Sequence, residues 1–303
     1  MTAAGPPRGR PGGTARSDAR GDRARQRNHP RRLPGRLGAL AFKGVAHLFG
    51  LTVVAYLLVP LVLAFLVSFY PGRSIGLPTF STGITAEWYV EFLNDARWMA
   101  GLRNSLYVGV ISTAISLVCG LTLALAVTRH RLRGEVLVAT VLMLPVFVPA
   151  VIIGMQSLSF SYQIGLWGTH WSIGIAHALW ATPLVYLILV SGLRRVSIEL
   201  EEAAASLGAN PWASFRMVVW PLLVPSVMAA AVIGYIISLN EFIMALFLGT
   251  PDTQTLPKMI WPQIRHSVSP VVAAASSVLL VITVAAIMIA GRAVNISRAI
   301  QGR

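Results

Sequence analysis

A chain of 303 residues that is 55% hydrophobic and only 12% charged, with a mean hydropathy of +0.68, is too apolar for a soluble domain and reads as an integral membrane protein. A formal net charge of +14 suits a nucleic-acid binder only if the basic residues form a patch on a fold. The single cysteine, Cys119, excludes an internal disulfide and argues against a cysteine-based metal centre.

The basic residues gather first in an N-terminal tail. Eleven of the 25 Lys and Arg precede Gly44, in a stretch over 1–43 rich in Gly, Pro and Arg. Such a segment cannot bury enough apolar surface to offset ordering entropy, so disorder is expected there. Two roles stay open: contact with anionic lipid or nucleic acid, or a solvated tail that helps hold the N-terminus in the cytoplasm. Arg31 and Arg32 have the look of a twin-arginine signal. The apolar run beyond them exceeds the roughly 7–15 residues of a signal h-region, and no small-x-small cleavage site follows. An uncleaved anchor is expected.

A membrane-crossing helix needs about 20 apolar residues. Six segments meet that length, near Val45–Phe69, Asn104–Thr128, Val136–Gln156, Trp171–Leu193, Leu222–Leu248 and Val271–Ala290. They predict an all-α transmembrane domain over 44–293, a cytoplasmic loop over 194–221 and a short cytoplasmic end over 294–303. Twenty basic residues fall on one side of these spans, while Arg73, Arg97, Lys258 and Arg265 fall on the other and Arg103 at the boundary. By the positive-inside rule both termini are cytoplasmic. Pro60, Pro145, Pro149, Pro183 and Pro225 lie within spans, where bundles tolerate kinks, and small residues such as Ala229–Gly234 and Ala273–Ser277 permit close packing. These features alone fit many membrane bundles.

Between the fourth and fifth segments stands a polar, punctuated stretch, "LEEAAASLGANPWASFRMVVWP". Ser197 is a good N-cap, and Glu199, Glu201 and Glu202 place negative charge where a helix dipole favours it. Leu200, Ala203, Ala204 and Leu207 follow i, i+3, i+4, i+7 spacing and form a small apolar face. Gly208 suits a left-handed residue just past the helix end, and Asn210 with Pro211 can start a second helix. A surface connector and a docking element are both open. The small Ala face favours docking, because a membrane-surface helix prefers Leu, Phe and Trp opposite Lys and Arg.

"EAAASLGANPWASFRMVVWP" resembles the EAA motif of ABC-importer permeases, in which EAA, three residues, Gly and nine residues precede I-x-L-P. Here the matching residues are Glu202, Ala203, Ala204, Gly208 and the run Val218 to Pro221, with Trp220 in place of Leu. The resemblance extends roughly over 102–291. "RNSLYVGVISTAISLVCG" and "LMLPVFVPAVIIG" are similar to the family's second and third spans, and the segment from Leu239 to Ser277 looks like the spermidine/putrescine-type subgroup. It implies a type I, binding-protein-dependent permease fold with six spans. It also implies an ATPase-docking loop at Glu202, Ala203, Ala204, Gly208 and Pro221, and uptake of a polyamine or related small organic cation. Its implied partners are a cytosolic ATPase dimer that binds ATP and Mg, a second permease and an extracytoplasmic binding protein, in the cytoplasmic membrane of a bacterium.

The rest of the chain agrees with a transport subunit that is no enzyme. Its two lysines, Lys43 and Lys258, are followed by Gly and Met, so neither can belong to a P-loop. The histidines His29, His47, His130, His170, His177 and His266 lack metal-ligand spacing, and no G-x-S-x-G occurs. No cofactor is expected in this chain, and nucleic acid is not expected as a partner.

Glu241 is the carboxylate that falls well inside a predicted span. Burying such a charge costs about 2.5–3.5 kcal/mol on insertion scales, so it faces a polar cavity or a partner. With a rise of about 1.5 Å per residue it lies roughly 28 Å beyond Leu222, toward the outer side. Either it attracts cations on the pathway or it pairs with a neighbouring helix. Asn240 stands where the similar family segment often has Asp. Tyr235, Ser238 and Asn240 are further pathway candidates, with His177 and Gln156. Trp171, Trp180 and Trp261 could hold a cation by ring attraction or serve as membrane anchors. A different import substrate, including an amino-acid derivative, a phosphonate or another anion, is the alternative. A secondary transporter or channel acting alone predicts inverted repeats and more intramembrane titratable groups, which the sequence does not display.

Overall fold

A computed structural model describes residues 36–73, 76–129, 134–266 and 269–301, and every regular element among them is helical. The chain falls into two units, one ending at Val59 and the other beginning at Pro60. In the first unit the described residues form one helical run whose apolar side chains, including Leu48, Phe49, Leu51, Tyr56 and Leu57, are exposed. This run belongs to α1 (Arg36–Val67), which starts before the expected tail boundary at residue 43. After Pro34, the sequence "RLGALAF" has helix-forming Leu and Ala and no further proline, so the helix extends back to Arg36. The remainder of the predicted disordered tail, 1–35, lies outside the described residues.

The second unit is organised on two long helices, α3 (Ala96–Arg129) and α6 (His170–Leu193), which pack along each other. The short α2 (Glu87–Asn94) leads into α3. Gly101, Ser105, Val108, Ser112, Ser116, Gly120, Ala124 and Val127 are all buried on α3. Their spacing of three or four makes one stripe of mostly small residues, which lets neighbouring backbones approach without a hydrophobic drive between helices. The approach is close enough that a Cβ on Gly120 would stand 3.1 Å from Val185 Cγ1 and 3.3 Å from the Tyr186 backbone nitrogen.

Two predicted spans are broken. The segment expected to cross as Val136–Gln156 is two helices, α4 (Glu135–Phe147) and α5 (Ala150–Gln163), bent by 100°. The cause is local: Val148 precedes Pro149 and is driven to extended backbone at φ −85° and ψ 132°. The segment expected as Leu222–Leu248 is likewise interrupted. Here α7 (Ile198–Ser206) is followed by α8 (Pro211–Ser214), a π-turn over Phe215–Val219 and α9 (Trp220–Asn240). Glu241 is then extended, at φ −75° and ψ 120°, before α10 (Ile243–Leu248). The uniform apolar run hid the break, which falls at the polar pair Asn240–Glu241.

The wide π-turn sits just before Pro221, whose ring and missing N–H disfavour an ordinary i to i−4 turn. Beyond α10 come α11 (Leu256–His266) and α12 (Pro270–Gln301), so the expected short end over 294–303 is helical through Gln301. Among the described residues, five helices are long and apolar enough to cross a membrane, or six spans result when α4 and α5 count as one.

Three buried clusters hold this unit together. One, with Val185, Leu189, Leu193, Val219 and Leu223, joins α6 to α9 beside α7. A second, with Trp88, Phe92, Trp98, Leu256 and Ala275, seals α2 and α3 against α11 and α12. The third, with Val108, Ile153, Ile173, Met244 and Leu248, seats α5 and α10 on the α3–α6 pair. Each fully buried aliphatic or aromatic side chain contributes about 1.5–3 kcal/mol where it leaves water; between helices in lipid, shape fit replaces that term.

Candidate coupling site and membrane pathway

The punctuated loop folds as its residues dictate. Ser197 Oγ accepts the Glu199 N–H at 3.2 Å and starts α7. At the other end Gly208 takes φ +89°, which L side chains rarely adopt. Gly208 N–H then donates to Ala205 O at 2.9 Å and Ala209 N–H to Ala204 O at 3.0 Å, the paired bonds of a Schellman cap. Asn210 Oδ1 accepts the Ala213 N–H at 2.8 Å with Pro211 at the first helical position. Two helices are therefore fixed at a sharp corner by bonds within the corner itself.

This corner presents its apolar side chains outward. Leu207 is 90% exposed, Met217 75% and Trp212 69%, and Glu202, Ala203 and Gly208 are exposed as well. Ala204 is half-buried, and Pro221 lies one helix farther on, at the start of α9. Glu202, Ala203, Ala204 and Gly208 thus share one punctuated element, and Pro221 stands apart from it. A residue the sequence reading counted only as a positive charge, Arg129, reaches that element: its Nε lies 2.6 Å from Glu201 Oε1. Nothing local in "TRHRLRGE" distinguishes Arg129 from its basic neighbours, because the contact depends on how α3 and α7 meet.

The four pathway candidates do not converge. Ser238 Oγ lies 2.8 Å from His177 Nδ1, and both side chains are buried between α9 and α6. Tyr235, half-buried, lays its ring against Gly109 of α3, where a Cβ would meet Cε2 at 2.6 Å. Asn240 is exposed and donates to Ile236 O at 2.8 Å. Glu241, expected in mid-helix, instead uses Oε1 to accept the Met244 N–H at 2.9 Å, capping α10. Among the described residues it has no ion-pair partner. Gln156 lines a groove of about 750 Å³ with Cys119, Pro145, Ile152 and Leu179. Trp171 is 53% exposed, and the ring of Trp261 stacks near Phe242 with centroids 4.9 Å apart.

At the far end of α3 a polar knot also escaped the sequence reading. Asn104 Nδ2 donates to Asp252 O at 2.9 Å and Gln254 O at 3.1 Å, while its Oδ1 meets His170 Nε2 at 2.9 Å. Ser105 Oγ accepts the Leu256 N–H at 2.8 Å. The loop after α10 is thereby tied to α3. Lys258 Nζ adds bonds to Leu246 O at 3.2 Å and to Gly249 O, where a cation matches the negative end of α10. Burial holds the Lys258 pKa below the usual lysine range.

Helices long and apolar enough to cross a membrane, packed through small residues and joined by a capped corner, fit the permease class of ABC importers. Residues 115–292, more than half of the chain, match the binding-protein-dependent transport system inner membrane component family, and the chain belongs to that family. The spermidine/putrescine transport system permease protein PotC of Escherichia coli strain K12 is 27% identical over 231 residues, 76% of this chain and 86% of that protein. The putrescine transport system permease protein PotI of the same strain is 28% identical over 233 residues, 74% of this chain and 82% of its own length. Among solved structures, a bacterial ABC transporter involved in the import of the acidic polysaccharide alginate aligns with a TM-score of 0.62 at 19% identity, covering 86% of this chain and 97% of that one. That likeness establishes the shared fold.

Proposed function

We propose that this permease carries a polyamine or related small organic cation inward, driven by ATP that a separate cytosolic ATPase dimer binds with Mg. The observation that carries the ATP-driven part is the doubly capped corner at α7 and α8, exposed where a partner can seat on Leu207 and Trp212 and built on the residues of the EAA motif. The chain has no P-loop of its own, so nucleotide chemistry falls to the partner. α4 and α5 together act as one of six spans, and both termini lie in the cytoplasm by the positive-inside rule. A second permease and an extracytoplasmic binding protein complete the assembly, the binding protein being in keeping with the family's description as binding-protein-dependent.

The cation reading draws on the names of the polyamine relatives and on Glu241, a half-buried carboxylate with no ion-pair partner among the described residues. One oxygen caps α10 and the charge remains available to a cation, while Ser238 is held in place by its contact with His177. The test is uptake by the reconstituted importer of labelled putrescine and spermidine against 2-aminoethylphosphonate. ATP-dependent uptake of the polyamines is expected. Uptake of the phosphonate alone would overturn the cation reading and leave the permease assignment standing.

A further inference from the structure

A push on α7 has to reach the membrane helices, and the covalent route leaves helical structure on the way. Between α6 and α7 the chain runs through the non-helical residues 194–197. Arg129 supplies a second route. It is the last residue of α3, and its side chain is 13% exposed. While Nε meets Glu201 of α7 at 2.6 Å, Nη2 donates to Val196 O at 3.1 Å and Leu193 O at 3.4 Å. Leu193 ends α6 and its carbonyl also accepts the Val196 N–H at 3.1 Å, so the Arg129 cation stands at the negative end of the α6 dipole. Both atoms of the Arg129–Glu201 contact are shielded from solvent and neither has a hydrogen-bond partner among the described residues, so charge attraction alone holds that contact.

One planar guanidinium therefore closes the end of α3 on the end of α6 and the first turns of α7, more than 60 residues further along the chain. A guanidinium can do this because Nη2 donates to the two carbonyls while its delocalised charge attracts Glu201, whereas an ammonium is a point charge. The nearby Arg194–Glu135 pair at 3.0 Å is 63% and 46% exposed, so water screens it and it cannot serve equally well.

Building on the reading that α7 docks an ATPase, we infer that Arg129 is the positioning residue that makes α7 move as one body with α3 and α6. Substrate does not touch it. It converts displacement of the docked helix into displacement of the two central spans.

The test uses the assembled importer in nanodiscs, with nitroxide labels on native Cys119, exposed on α3, and on Ala205→Cys, exposed on α7. The unsubstituted clamp should give one narrow inter-label distance. Arg129→Gln and Glu201→Gln should broaden it, and Arg129→Lys should recover part of the narrowness. Uptake per ATP hydrolysed should fall about tenfold in either Gln variant, within the roughly 5–150-fold span of coupling between sites. The double variant should fall no further than the singles, as expected of one shared interaction. A narrow distance that survives Arg129→Gln, or losses that add in the double variant, would overturn the clamp. If α7 of the unsubstituted chain forms no cross-link to the ATPase while the narrow distance persists, the coupling role is overturned and only a structural corner remains.

Discussion

Glu241 Oε1 accepts the backbone N–H of Met244 at 2.9 Å, so a carboxylate just past the C-terminal end of α9 begins the helix that follows it. Capping and charge can be separated by substitution. Glu241→Ala removes the acceptor and should lower stability by about 1 kcal/mol, the usual cost of losing an N-cap. Glu241→Gln keeps an acceptor oxygen and should melt close to the unsubstituted protein, yet raise KM for an organic cation. Thermal unfolding in detergent with uptake kinetics checks both. Unchanged kinetics in Glu241→Gln would reduce the residue to a cap.

Gly208 holds the corner between α7 and α8 by backbone conformation alone, since a Cβ there meets nothing within 4 Å. A side chain at φ +89° therefore costs strain without a clash, about 1–2 kcal/mol for an ordinary residue. Gly208→Val should stay in the membrane but capture less ATPase on co-purification. Gly208→Asn should lose least, because Asn tolerates the left-handed region. Full capture by Gly208→Val would count against a docking corner.

His177 and Ser238 share a buried 2.8 Å contact between α6 and α9, and His177 Nε2 has no hydrogen-bond partner among the described residues. Ser238→Ala would strip the ring of its remaining bond. Leaving a buried polar group unmatched costs about 1–3 kcal/mol. A lowered melting temperature with an unaltered KM is expected, and a changed KM without loss of stability would place Ser238 on the solute route instead.

Gly174 faces Ile111 so closely that a Cβ would lie 2.5 Å from Ile111 Cγ2. Gly174→Val should force α3 and α6 apart at a cost of about 1–3 kcal/mol, the usual penalty of overpacking. The yield of monodisperse protein after membrane extraction reads this directly. Normal yield would mean that the two helices can separate freely.

How much of this was legible in the sequence depended on range. Ser197, Gly208 and Asn210 announce caps whose bonds close within a few residues, so α7 and its corner were readable one residue at a time. The span breaks were not. Pro145 and Pro149 suggest a kink but do not set its angle at 100°, and the apolar run through Leu248 conceals the extended backbone at Glu241. Least legible were the contacts of Asn104 with the loop after α10 and of Arg129 with Glu201, which exist only once α3 is packed.

The most direct measurement is solute uptake into proteoliposomes containing this permease with its second permease and binding protein, with and without the ATPase. Uptake that requires both the ATPase and ATP is the expected result. Transport by this chain alone, driven by a proton or sodium gradient, would contradict the assignment of α7 as the element that receives its drive from a partner.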